Sequence, residues 1–259
     1  MSRVPFLVIV VQGKLYTIRS DGVEKRKLLY EGKAKRVYAT DVEGVYIQEF
    51  KDDATAFDGA KKGTIGRKGE INNQMSAKLF KLLEAHRIPT HFIETVNERE
   101  MAIRALKMFK VEAIMRNVAA GSLVRNYGFT KGQRFERAIF EFHLKDDQFH
   151  DPLMNNEHVV AMGLATLEEI RIIESRARHI NQVLVAFFDA VGIDLVDFKI
   201  EFGKGPDGEI YVADEISPDA CRFWDKKTGE SVDKDRFRFD MGNVEEAYSD
   251  IFQRVMTAN

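Results

Sequence analysis

Residues 195–203 read Leu195-Val196-Asp197-Phe198-Lys199-Ile200-Glu201-Phe202-Gly203, and residues 211–215 read Tyr211-Val212-Ala213-Asp214-Glu215. Side chains alternate faces along a strand. Val196, Phe198, Ile200 and Phe202 therefore fall on one face, and Asp197, Lys199 and Glu201 on the other. Gly205-Pro206-Asp207-Gly208 between the two runs is a turn signal. A hairpin centred on Asp207-Gly208 sets Glu201 opposite Asp214. Like charges facing across a ladder repel. A divalent cation turns that repulsion into a binding site, and hard carboxylate oxygens suit magnesium. The same stretch also fits a solvated polar face with a nearby lysine.

The strand follows the longest helical pattern in the chain. Ile170, Ile173, Ala177, Ile180, Leu184, Phe187 and Val191 recur in steps of three and four. Thr166 with Glu169 forms a capping box, and Gly192 supplies the stop. The pattern is too short for a sustained coiled coil and reads as a core-facing helix. Ile71, Met75, Leu79, Leu82 and Leu83 predict an earlier helix that ends before Ile88-Pro89. Val244, Ala247, Tyr248, Ile251 and Val255 predict a last one. Leu28 to Tyr38 reads as two short strands, Val45 to Phe50 as another, and Val111 to Val118 as a further strand. The N-terminal third is thus a small, mostly antiparallel sheet. Phe6 to Val11 and Leu15 to Ile18 read as strand, turn, strand, or equally as a poorly ordered leader.

Composition narrows the classes. A chain of 259 residues holds one large or two modest domains, and 44% hydrophobic residues are enough for a sizeable core. The net charge of −2 gives no global bias toward nucleic acid or acidic membranes. One cysteine, Cys221, excludes an intramolecular disulfide and reads as a small packed side chain. No apolar run approaches a membrane span, and the apolar N-terminus lacks a basic start and a small-residue cleavage site.

Further strings carry anion chemistry. Gly32-Lys33-Ala34-Lys35 lies between two strands; a tight hairpin exposes backbone N–H groups, and two lysines add charge for phosphate. A solvated hairpin has the same composition. Arg116-Asn117-Val118-Ala119-Ala120-Gly121-Ser122 places an arginine at a strand end before a Gly-Ser turn, which suits phosphate or carboxylate and also suits ordinary turn chemistry. Ser217-Pro218-Asp219 turns the chain back over the carboxylates and brings Arg222 toward a bound anion. His143, His150 and His158 lack zinc-site spacing, and His150-Asp151-Pro152 reads as a loop contact to substrate or a turn. Lys61-Lys62 and Arg67-Lys68 form a basic patch without aromatics, suited to a small anion.

Taken together and in this order, these strings resemble the SAICAR synthetase family. The match runs from Leu28 onward. It is carried by Leu29-Tyr30-Glu31-Gly32-Lys33-Ala34-Lys35, Val111-Glu112 through Ser122, Val196 through Gly203, and Asp214 through Asp219. Lys110 stands where the family usually has proline, and Met1 to about Glu24 precedes the usual family start.

The resemblance implies an α+β fold related to kinases and ATP-grasp enzymes. A small antiparallel-sheet N-terminal domain covers a larger α+β domain, with ATP in the cleft between them. The expected division is an extension over 1–27, a small nucleotide-binding domain over 28–92 and a larger domain over 93–259. The implied enzyme is an ATP-dependent ligase of purine biosynthesis. It condenses carboxyaminoimidazole ribonucleotide (CAIR) with L-aspartate to give SAICAR, ADP and phosphate. The resemblance further implies a cytoplasmic homodimer that uses ATP and Mg²⁺ and binds no nucleic acid or membrane.

On that reading Gly32, Lys33, Ala34 and Lys35 hold ATP phosphates, and Glu201 and Asp214 hold magnesium. Lys199 and Asp197 are the catalytic candidates, Lys199 neutralising the reacting carboxylate. Asp58, Arg116, Ser122, Asp219 and Arg222 bind substrate. A small-molecule kinase would share the lysine loop and the carboxylates. It would also show the H-R-D-L-x-x-x-N string that carries its catalytic aspartate and metal-binding asparagine, and that string is absent. A non-catalytic nucleotide-binding module would not need Lys199 between two carboxylates.

Overall fold

A computed structural model describes residues 7–11, 14–18, 23–57 and 59–258, with the backbone alone described for 7–18. The first two strands, β1 (Leu7–Val11) and β2 (Lys14–Ile18), pair antiparallel, and the expected turn at Gln12-Gly13 lies outside the described residues.

β3 (Lys25–Glu31), β4 (Lys35–Thr40) and β5 (Val45–Phe50) begin the N-terminal sheet. A short ribbon follows, of β6 (Asp53–Ala56) and β7 (Lys61–Thr64). Helix α1 (Lys68–Ala85) buries Ile71, Met75, Leu79, Phe80 and Leu83. It ends at His86, before Arg87 turns left-handed with φ 62°. β8 (Phe92–Asn97) and β9 (Glu100–Arg104) then complete a five-stranded antiparallel sheet in the order β3-β4-β5-β9-β8. This sheet extends past residue 92 to Arg104, because β9 pairs with β5. Pairing across that sequence gap leaves no local signature.

The larger layer contains β10 (Lys107–Val118), α2 (Ser122–Tyr127), β11 (Arg134–Leu144), β12 (Leu153–Met154), α3 (Asn156–Ala161) and α4 (Leu167–Ala190). β13 (Ile193–Lys204), β14 (Ile210–Ala213), β15 (Cys221–Asp225), α5 (Asp235–Arg238) and α6 (Val244–Thr257) finish it. The strands run in the order β12-β11-β10-β13-β14, and β15 also pairs with β13. The capping box at α4 is formed: Glu169 N donates to Thr166 Oγ1 at 3.2 Å, and Thr166 N donates to Glu169 Oε2 at 2.8 Å. Gly192 follows the helix at φ 76°, where a side chain would be strained. The apolar face of α4 and Phe198, Ile200 and Phe202 of β13 share one hydrophobic core.

The opposite face of β13 is only partly solvated, through Lys199. Asp197 and Glu201 are only 5% and 2% exposed, each covered by its ion-pair partners, Arg222 on Asp197 and Lys145 and Lys199 on Glu201. The hairpin register also differs from the expected one. Glu201 pairs with Ala213 rather than Asp214. The loop spans five residues, Gly205 to Glu209, closed by Gly205 N donating to Glu209 O at 2.8 Å. A centre between Asp207 and Gly208 requires an even-numbered loop, and the five-residue loop centres on Asp207 instead. Asp214 lies just beyond the strand at φ 70°, a conformation aspartate tolerates better than most side chains. The N-terminal layer grips that turn: Gln48 Nε2 donates to Asp214 O at 3.0 Å, and Ile216 N donates to Ser76 Oγ at 3.1 Å.

Candidate active site

The turn between β3 and β4 forms the rim of the cleft. Gly32 N donates to Lys35 O at 2.8 Å, which closes the turn and sends the Lys35 side chain inward. Lys35 pairs with Asp214, and its Nζ lies 2.9 Å from Glu215 Oε1. Burial alone would lower the Lys35 pKa; Asp214 and Glu215 outweigh it and raise it. Lys33 is half exposed and reaches Asp147 at 2.7 Å. Gly32 through Lys35 line a cavity of about 730 Å³ together with Glu112, Lys145, Lys199, Glu201 and Asp214.

Lys199 is the hub of the cavity floor. Its Nζ lies 2.9 Å from Glu201 Oε1, 2.9 Å from Glu112 Oε1 and 3.6 Å from Asp214 Oδ2. Lys145 holds the other Glu201 oxygen at 2.5 Å. Burial acts to lower the Lys199 pKa, but Glu201, Asp214 and Glu112 hold it well above the usual amine value, so the ammonium stays charged. Burial acts to raise Asp214, yet Lys35, Lys199 and Lys145 hold it well below the usual carboxylate range. Asp214 is thus brought to Lys199 despite the shifted register.

A second cavity of about 410 Å³ adjoins the first and shares Lys199, Glu112, Asp151 and Asp219 with it. Here the structure gathers Arg116, Ser122, Asp197 and Arg222. Arg116 Nη2 donates to Ser122 Oγ at 2.9 Å, and its Nε donates to Glu141 Oε2 at 2.7 Å. Arg222 Nη1 donates to Asp197 Oδ2 at 2.8 Å. Asp197, more than the opposing burial, raises the Arg222 pKa, with Asp235 assisting. Gly121 is required beside this guanidinium: a Cβ there would stand 2.9 Å from Arg222 Nη2, at φ 54°. Asp197 therefore holds one arginine directly and lies 3.5 Å from Arg116.

Asp219 lines both cavities, yet its side chain is nearly enclosed. Its Oδ2 accepts from Lys68 at 2.8 Å and Lys234 at 3.2 Å, and its Oδ1 accepts from Tyr248 at 2.8 Å. Burial opposes ionisation of Asp219, and Lys68 and Lys234 overcome it. Asp58 lies outside the described residues. His150 and Asp151 line the second cavity.

Three of the four residues of the expected basic patch are engaged by carboxylates. Lys68 is fully buried on Asp219, Arg67 bonds Glu70, and Lys61 bonds Asp240. Helix α1 turns Lys68 into the core, which a run of charges cannot reveal. Lys145, Glu141, His143 and Lys234 are site residues that the sequence pattern missed. Lys145 lies just past the end of a strand, where side-chain alternation stops.

Among the described residues no group of three or more His, Cys, Asp or Glu side chains forms a metal cage. Glu201 and Asp214 present two hard carboxylates to one ammonium. Magnesium commonly takes one or two carboxylates and completes its shell with phosphate and water, so this donor pair fits that ion beside a nucleotide.

A small antiparallel sheet over a larger α+β layer, with a lysine-bearing turn at the rim of the cleft and acidic groups on its floor, defines an ATP-grasp-like protein. The chain belongs to the SAICAR synthetase family, whose sequence model matches residues 28–255. A phosphoribosylaminoimidazole-succinocarboxamide synthase from Pelodictyon phaeoclathratiforme is 56% identical over 234 residues, covering 90% of this chain and 99% of that protein. The corresponding protein of Desulfitobacterium hafniense is 54% identical over 233 residues, covering 90% and 98%. A SAICAR synthetase solved in complex with ADP superposes with a TM-score of 0.85 at 47% identity, covering 87% of this chain and 96% of that one. The synthase from Ehrlichia chaffeensis gives a TM-score of 0.87 at 39% identity, covering 90% and 99%.

Proposed function

We propose that this protein is the ATP-dependent ligase that condenses CAIR with L-aspartate, yielding SAICAR, ADP and phosphate in purine biosynthesis. The observation that carries the reading is Lys199 on the wall common to both cavities. One cavity offers lysines and carboxylates to a nucleotide triphosphate. The other offers Arg116, Ser122 and Arg222 to an anionic ribonucleotide. The family relative solved with ADP supports assigning the first cavity to ATP.

A carboxylate is a poor acyl donor because its oxygen is a poor leaving group. Here a CAIR carboxylate oxygen attacks the γ-phosphorus, the bond to the β-phosphate oxygen breaks, and ADP leaves. The acyl phosphate is then attacked at carbon by the aspartate amine. Phosphate departs with the former carboxylate oxygen, an amide forms, and the amine gives up a proton. Lys199 neutralises charge where carboxylate and phosphoryl meet, and Lys33 and Lys35 hold phosphates. Arg116, Ser122 and Arg222 anchor the ribonucleotide, while Asp197 fixes the Arg222 fork. Glu201 and Asp214 would hold magnesium, which supplies charge neutralisation at the phosphates. Family likeness extends the proposal to a cytoplasmic homodimer.

The test is ADP release measured with each substrate omitted in turn. Release that requires both CAIR and L-aspartate is the expected result. Sustained release with CAIR but without the amino acid would identify a kinase, and no release with all three substrates would leave a binding module.

A further inference from the structure

His143 sits on β11 beside the second cavity, held from two sides. Its Nδ1 lies 2.7 Å from the Asp151 carbonyl oxygen, and its Nε2 lies 3.2 Å from Glu141 Oε2. A carbonyl oxygen has no hydrogen to give. Glu141 is held below the usual carboxylate value, burial being outweighed by His143 and Arg116, so it has none either. A neutral imidazole carries one N–H and one lone pair, and would turn that lone pair toward an oxygen. Only the imidazolium donates to both.

The same Glu141 oxygen accepts from Arg116 Nε at 2.7 Å, and Arg116 reaches on to Ser122 at 2.9 Å. A continuous chain therefore runs from the loop after β11 through Asp151, His143 and Glu141 to the arginine of the anion cavity. We propose that His143, as an imidazolium, is the positioning residue of that arginine: it locks Glu141 and the loop together and so sets the affinity for the ribonucleotide. The ribonucleotide in this inference rests on the ligase reading above.

The surroundings set the direction of the pH dependence. Glu141 faces His143 from its own strand, and Glu112 is its cross-strand partner on β10, which also supplies Arg116. His150 and Asp151 come from the loop, and Asp197 and Lys199 from β13. Burial acts to lower the His143 pKa, but Glu141 and the Asp151 carbonyl raise it above the ordinary 6.5, against Arg116. The tight-binding form is thus present at low pH and lost as pH rises through that raised value. Deprotonation then leaves a lone pair against either the Asp151 carbonyl or Glu141, and the chain that fixes Arg116 is broken at that point.

The experiment is steady-state kinetics with CAIR varied at saturating ATP and L-aspartate, from pH 6 to pH 9, on wild type, His143→Gln and His143→Leu. The wild-type KM for CAIR should rise about tenfold across that range while kcat changes less than about twofold. His143→Leu should start about tenfold high and show no upward bend. His143→Gln, which still donates, should fall between the two without the bend. An NMR titration of the His143 Cε1–H, assigned by its absence in His143→Gln, should give a midpoint above 6.5 that rises further when CAIR binds. If His143→Leu does not fold, His143→Gln decides: a bend identical to that of wild type overturns the proposal. CAIR turnover with a pH-flat wild-type KM, or a midpoint at or below 6.5, also overturns it while leaving the ligase reading intact. No CAIR turnover by wild type overturns the ligase reading, and the ribonucleotide role of His143 with it.

Discussion

Lys199 and Glu201 stand two residues apart on one face of β13, with 2.9 Å between Nζ and Oε1. Strand alternation alone brings them to the same side. Their placement under the N-terminal sheet makes the pair consequential, since Glu201 is nearly fully buried and its other oxygen is held by Lys145. Charge attractions in such a partly dry cleft are stronger than at the surface.

Glu201→Gln, and separately Asp214→Asn, should each lower kcat by at least about 100-fold. Each removes one hard anionic donor and leaves charge on the transferring phosphoryl less compensated. ADP release is measured against magnesium concentration, with circular dichroism to verify folding. Activity near wild type at limiting magnesium in either variant would exclude the metal role.

Lys199→Met should lower kcat by about 10²- to 10³-fold and change the ATP Kd by less than about threefold. A fixed ammonium helps most as negative charge builds in the transition state. The thioether preserves length without charge. Calorimetric ATP binding beside single-turnover rates separates the two effects. A parallel fall in affinity and rate would make Lys199 a ground-state phosphate ligand instead.

Truncation should separate catalysis from stability at the N-terminus. A chain shortened to begin at Val23 should keep its kcat and KM values, because every residue of the two cavities lies beyond it. Removing Val23 and Glu24 as well should cost about 1–3 kcal/mol. Val23 is buried with Val45, Ile47 and Ala102, so a start at Lys25 cuts into the small sheet's own core. Thermal melts of the two truncations should differ by several degrees. Loss of activity in the folded Val23 chain would contradict the first expectation, and equal melting temperatures the second.

His91 should make the fold acid-sensitive. Burial pushes its imidazole down to about 3, and among the described residues its Nε2 has no hydrogen-bond partner. The unfolded side chain titrates near 6.5. Between those values the unfolded state binds the extra proton, so the stability His91 contributes is full above pH 6.5 and drains away as pH falls toward 3. The slope should be about 1 kcal/mol per pH unit between pH 6 and pH 4. Urea melts of His91→Gln over that range should be flatter by about that amount. An unchanged slope would assign the acid sensitivity to other groups.

The sequence by itself determined what is periodic or local. The alternation through Val196 to Phe202, the Thr166–Glu169 cap and the Gly32–Lys35 turn are each written within a dozen residues. The order of the four family strings made the site's chemistry legible as well. Tertiary structure alone decided which of these residues meet. Lys35 and Asp214 are 179 positions apart, and they pair because the N-terminal layer folds back over the β13–β14 hairpin. The five-residue loop fixed the register there, putting Ala213 opposite Glu201 and leaving the left-handed turn at Asp214 to aim its carboxylate. Glu141, His143, Lys145 and Lys234 joined the site from positions whose sequence neighbours carry no such message. A period reports the face a side chain takes on its own element, and not the element that comes to cover that face.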